Sequence, residues 1–138
     1  MKLKICIIAL AATLPLATSS FAGPREDLLA RYAAAAREAS PGFAGFSASR
    51  GEAFHARKFG SGKPDTPACT SCHSDSPRQA GRTLAGKTIA PMAVSMTPDR
   101  YADPAKVEKW FKRNCNEVLG RECTALEKGD WLTYMLSR

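Results

Sequence analysis

The run Cys69-Thr70-Ser71-Cys72-His73 constrains this chain more than any other stretch. Its C-x-x-C-H spacing is the attachment signature of a c-type haem. Two thiols so placed reach the two vinyl groups on one edge of a porphyrin as thioethers. The next residue is then carried under the iron, where an imidazole nitrogen serves as proximal ligand. A thioredoxin-like dithiol wants a strand before the motif and a helix after it, whereas Gly60 to Pro67 in front and Ser74 to Pro77 behind are rich in turn formers. A zinc site wants a second C-x-x-C or paired histidines, and the sequence has neither.

Haem attachment of this kind requires export, and the first residues read as the means. Met1-Lys2-Leu3-Lys4 is basic, Ile5 to Ala17 is an almost unbroken apolar run, and Ser20-Phe21-Ala22 puts small residues before a cleavage point. Residues 1–22 are expected to be a Sec-type signal peptide and residues 23–138 a single domain in the periplasm. The apolar run is too short for a membrane span, so no stable membrane insertion is expected. Cleavage removes Cys6, leaving four of five cysteines, and removes Lys2 and Lys4, lowering the formal charge from +7 to +5. Two haem propionates would bring it nearer +3, which suits an electron carrier with a basic docking face and is too little for nucleic-acid binding.

Short helical patterns separated by Gly and Pro loops, with no alternating strand pattern, predict an all-α domain wrapped on one haem. The first helix is expected from Pro24 to about Ala39, with Leu28, Leu29, Tyr32 and Ala36 at helical spacing. A second runs from about Ser47 to Lys58 and carries Gly51 and Phe54, a small residue and an aromatic that let another helix approach. Its expected partner is the last helix, opened by the capping box Thr124-Ala125-Leu126-Glu127 and continued by Trp131, Leu132, Tyr134 and Leu136. His55 lies too early to be an iron ligand and is read as a surface or edge histidine.

Ser74 to Arg100 reads as a long irregular stretch. Arg78, Arg82 and Lys87 are candidates for pairing with propionates, though such cations are more often merely solvated. Met92 and Met96 fall in turn-like pieces expected to line a haem edge, and by residue type either one is a candidate sixth ligand. The next helix competes. Asp103-Pro104 caps it, and Ala105 to Asn114 continues it, with Val107, Trp110, Phe111 and Asn114 on one face and Lys106, Lys109, Lys112 and Arg113 on the other. An inward Asn114 either bonds backbone at the helix end or turns its carbonyl oxygen to the iron. Cys115 and Cys123, two thiols close in sequence in an oxidising compartment, are expected to pair and to fix where that helix ends; so small a loop is worth about 2 to 3 kcal/mol.

Gly62 to Pro67, Cys69 to His73, Gly86-Lys87 with Ile89-Ala90-Pro91, Thr97 to Arg100, Val107 to Trp110, Arg113-Asn114-Cys115-Asn116, Gly120-Arg121 and Cys123-Thr124 together resemble the sphaeroides haem protein family, SHP. These are small class I c-type cytochromes that bind oxygen and other diatomics. The resemblance implies a class I cytochrome c fold with an extra N-terminal helix and one covalent haem c on Cys69 and Cys72. It also implies His73 as proximal ligand, Asn114 as distal ligand, and a Cys115–Cys123 disulfide beside it. By the same resemblance Asn114 leaves the iron on reduction, opening a site for O2, NO or CO. A dihaem cytochrome c or a membrane b-type cytochrome is then the implied electron partner. The competing reading is a conventional electron-transfer cytochrome with His73 and Met96 or Met92 as ligands. Ligand binding with electron transfer is the activity expected, with an oxygen or nitric oxide reductase-type activity as the enzymatic alternative.

Overall fold

The computed structural model describes residues 23–138; the expected leader lies outside the described residues. Five helices and one short hairpin follow in order: α1 (Pro24–Ala39), α2 (Ala48–Ala56), α3 (Thr70–His73), β1 (Gly81–Arg82), β2 (Thr88–Ile89), α4 (Pro104–Leu119) and α5 (Ala125–Leu136). The helical fold is as expected, with one addition: β1 and β2 are antiparallel, with Gly81 opposite Ile89 and Arg82 opposite Thr88. Two residues per strand are too few to show as an alternating pattern.

Local chemistry sets the helix ends. Proline opens α1 where a missing N–H costs nothing, and Glu26 and Asp27 sit in its first turn, against the positive end of the helix dipole. Ser47 caps α2, which stops at Ala56, two residues before the expected Lys58. Asp103 accepts from the Lys106 amide at the start of α4. In α5 both halves of the capping box form, Thr124 accepting from the Glu127 amide while the Glu127 carboxylate accepts from the Thr124 amide. One such cap is worth about 1 kcal/mol.

The core lies where α1, α4 and α5 meet. α1 contributes Leu28, Tyr32 and Ala36, four residues apart and all buried. Leu28, Leu132 and Met135 have no exposed surface, and burying each is worth about 2 kcal/mol or more. The rings of Tyr32, Phe111, Trp131 and Tyr101 meet edge to face in sequence, at 6.2, 5.4 and 5.9 Å between centroids. α2 crosses α5 at Gly51, where a Cβ would stand 2.1 Å from the Asp130 carbonyl oxygen. Only glycine fits that crossing. Beside it the buried Asp130 carboxylate takes two bonds from Arg50, at 2.7 and 2.8 Å, and one from the Ser47 amide at 2.7 Å.

Two expectations for α4 are corrected. The helix runs past Asn114 and Cys115 to Leu119 and ends at Gly120, whose φ of +68 is the left-handed conformation that glycine adopts freely. Glycine, not the disulfide, therefore stops it. Its buried stripe is Val107, Phe111, Cys115, Val118 and Leu119, and Trp110 is exposed, with Arg113 stacked at 5.4 Å over its ring.

Candidate haem-binding site

α3 is a single turn, closed by the His73 amide bonding the Cys69 carbonyl at 3.0 Å. Its three-residue spacing sets Cys69 and Cys72 on one side of the turn. Neither thiol is in a disulfide. The turn ends at Ser74, whose φ of 65 and ψ of 159 form a backbone conformation nearly confined to glycine, a strain of about 1 to 3 kcal/mol. Strand β1 crosses directly behind, so close that a Cβ on Gly81 would lie 2.0 Å from the Cys72 carbonyl oxygen.

Burial raises both thiols, Cys69 to about 11. On Cys72 the Glu117 carboxylate adds to the rise and a backbone hydrogen bond from Leu84 opposes it. Leu84 stands in the hairpin turn and Glu117 on the C-terminal half of α4. That half is tied to the segment leading into the haem run: Ser61 Oγ donates to the Leu119 carbonyl at 2.6 Å, the Lys63 amide to the Glu117 carbonyl at 2.7 Å, and Lys63 Nζ lies 3.4 Å from the Glu117 carboxylate. These bonds occupy carbonyls that a helix end leaves without partners.

His73 is held neutral. Burial first, then the neighbouring His55 and Arg100, push its pKa from 6.5 down to about 4, a preference of roughly 3 kcal/mol for the uncharged ring. Its Nδ1 is buried without a hydrogen-bond partner among the described residues. A neutral imidazole is the form that coordinates a metal. Among the described residues no group of three or more His, Cys, Asp or Glu could hold a free metal ion.

The distal candidates separate. Asn114 lies on α4 three residues before Glu117, half-buried, and its amide has no hydrogen bond among the described residues. The backbone bond considered for it belongs to Asn116, whose Nδ2 donates to the Lys112 carbonyl at 2.6 Å. Met92 is buried in the core cluster, with its carbonyl taken by Tyr101 Oη at 2.8 Å, and Met96 is 54% exposed. The disulfide joins Cys115, inside α4, to Cys123, just ahead of the α5 cap. Of the candidate propionate partners, Arg82 donates to the Gly86 carbonyl across its own hairpin.

Sequence reasoning missed two residues and misread a third. Ser61 carried no signal, because its partner is 58 positions away. Arg100, which bonds the Pro91 and Ala90 carbonyls and so shapes the loop through Met92, was given no structural role of its own. His55 is not at the surface: it is 1% exposed, wedged between Trp131 and the Ser74 carbonyl. It lies four residues after Gly51, hence on the face that crosses α5, and that spacing was a readable signal.

Two thiols one turn apart, a neutral imidazole directly after them and a helix tied alongside fit a covalent haem, and with the helical fold they define the class, a c-type cytochrome. Residues 41–135 match a family described as a domain of unknown function, DUF1924. The chain is 47% identical over 112 residues to the cytochrome c-type protein SHP of Cereibacter sphaeroides, covering 81% of this chain and 82% of that protein. The structure of oxidised SHP, an oxygen-binding cytochrome c, superposes with a TM-score of 0.76 over 83% of this chain and 96% of that one. The solution structure of cytochrome c'' from Methylophilus methylotrophus, which concerns haem-ligand detachment, is 34% identical with a TM-score of 0.72, over 83% and 93% of the two chains. The chain belongs to the SHP family of c-type cytochromes.

Proposed function

We propose that the chain is exported by cleavage of residues 1–22, and that residues 23–138 act in the periplasm as a monohaem cytochrome that binds a diatomic ligand. Cys69 and Cys72 hold the haem, His73 is the proximal ligand and Asn114 the distal one. When bound, the haem supplies a one-electron couple and a coordination position for O2, NO or CO. The observation that carries this reading is the free amide of Asn114, on a helix segment whose backbone is pinned by a disulfide and by the loop into the haem run. Met92 is buried in the core cluster and Met96 is exposed, which favours Asn114 over either methionine.

The carboxamide oxygen of Asn114 is a hard, weak, neutral donor that favours ferric over ferrous iron, so reduction loosens it where a thioether would stay. Once released, Nδ2 can donate a hydrogen bond to a bound diatomic. The oxygen binding of SHP and the ligand detachment of cytochrome c'' support the same behaviour here. Among the described residues no helix is long and apolar enough to cross a membrane. A dihaem cytochrome c or a membrane b-type cytochrome is the electron partner we infer.

Asn114→Ala tests the reading. The substitution is expected to change the ferric Soret and near-infrared spectra, while the dithionite-reduced protein still binds carbon monoxide rapidly and completely. A sulfur-to-iron charge-transfer band in the unsubstituted ferric protein, or a ferric spectrum indifferent to Asn114→Ala, refutes it.

A further inference from the structure

His55 is the most buried titratable side chain among the described residues, and nothing in the function above uses it. Both its ring nitrogens are engaged. Trp131 Nε1, which can only donate, lies 3.2 Å from Nδ1, so Nδ1 carries the lone pair and the ring proton sits on Nε2. Nε2–H then donates to the Ser74 carbonyl at 3.0 Å. The tautomer follows from the indole, which has no acceptor to offer.

Ser74 directly follows His73 and holds a conformation that a serine keeps only when its surroundings impose it. His55 fixes its carbonyl, and Gln79 Oε1 accepts from its hydroxyl at 3.2 Å. The carbonyl so occupied lies one residue beyond His73, whose own Nδ1 is buried and has no hydrogen-bond partner among the described residues. A metal-bound histidine ordinarily donates that second N–H to a carbonyl, carboxylate or water, which makes it a stronger donor to the metal.

We propose that His55 is a positioning residue for the proximal ligand: oriented by Trp131, it anchors the Ser74 carbonyl, ends α3 at His73 and keeps that carbonyl from His73 Nδ1. The imidazole offered to iron is thereby a weak donor. The inference rests on the reading of His73 as proximal ligand.

The test uses exported holoprotein whose haem content has been verified by intact mass. His55→Leu frees the Ser74 carbonyl or admits water beside it, giving His73 Nδ1 an acceptor. The iron–histidine stretching band of the ferrous protein should move to higher frequency and the midpoint potential should fall. His55→Gln restores the same pattern, since its Oε1 can accept from Trp131 while its Nε2 donates to Ser74, and should return both readings to near those of the unsubstituted protein. Unchanged readings in His55→Leu, or equal shifts in Leu and Gln variants, overturn the proposal. Should His55→Leu fail to mature, Trp131→Phe must give a smaller shift in the same direction, and its absence overturns the proposal too. An unsubstituted ferrous protein with no iron–histidine band contradicts the ligand reading itself, and the midpoint potentials of the variants still decide the role of His55.

Discussion

The two halves of α4 are held in opposite ways. In the N-terminal half the side chains are committed. Glu108 takes Lys128 Nζ at 2.7 Å and the Tyr32 hydroxyl, the ammonium of Lys128 lies 5.7 and 5.8 Å from the centroids of Tyr32 and Phe111, and Phe111 packs on Trp131. In the C-terminal half it is the backbone that is committed, through the disulfide and the bonds from Ser61 and Lys63, while the amide of Asn114 is left free. A side chain that must change partners is best carried on a backbone that cannot move. Both halves feed the core, through Val107 and Phe111 in the first and Cys115, Val118 and Leu119 in the second, and the second half also meets those requirements for the displaceable ligand proposed above.

Breaking the C-terminal tether should have the largest effect. Replacing Cys115 and Cys123 by Ser is expected to cost about 2 to 3 kcal/mol in denaturant unfolding and to make the ferric spectrum heterogeneous, because the segment bearing Asn114 loses one of its anchors. A stability loss with an unchanged, uniform spectrum would remove the positional role of the disulfide.

A smaller effect is expected at the other end. Burial acts to raise the Glu108 carboxyl, but its bonds from Lys128 and Tyr32 outweigh that and hold it below its ordinary value of 4.5. A carboxyl depressed on folding stabilises above its unfolded pKa and loses that contribution as pH falls through the folded one. Glu108→Gln should therefore destabilise at pH 7 by less than about 1 kcal/mol, since the side chain is 41% exposed and screened. The difference should vanish below the carboxylate range, with the ferric spectrum unaltered throughout. A spectral change would mean that the two halves of the helix are not separable.

The smallest structural effect is expected on the outer face. Lys106, Lys109 and Lys112 are exposed and make no ion pair among the described residues. Replacing Lys109 and Lys112 by Gln should leave stability and carbon monoxide binding alone. It should slow reduction by an acidic partner at low salt, where the Debye length exceeds its value of about 10 Å at 0.1 M. Rates insensitive to salt and to both substitutions would return this face to plain solvation.

What could be read in advance was local. Pro24 and the Thr124–Glu127 box mark their helices with residues one turn apart, and both helices stand where those signals put them. The C-x-x-C-H run carries its chemistry in five consecutive residues. The face of α4 was harder: Trp110 and Asn114 form a stripe adjacent to Val107, Phe111 and Cys115, and helical periodicity cannot say which of two neighbouring stripes meets the core. Exposure of Trp110 settles that for the aromatic. Gly120, the left-handed cap, is itself a stop signal in the sequence, masked by the two cysteines that flank it. The bonds of Ser61 to Leu119 and of His55 to Trp131 span 58 and 76 positions and left no pattern along the chain.

The brevity of α3 bears on the order in which the molecule comes together. Four residues are below the length at which a helix sustains itself, since fixing the first turn costs more than its one hydrogen bond returns. The shape of the haem-bearing turn is thus borrowed from distant partners: α2 through His55, α4 through the loop at Ser61, and α5 through Trp131 behind His55. On a chain emerging from its N-terminus, the C-x-x-C-H run is complete well before those last partners arrive. Until Trp131 has followed it out, the run has the character of an accessible, unstructured peptide, the form in which two thiols and a flat macrocycle can be brought together without undoing a fold.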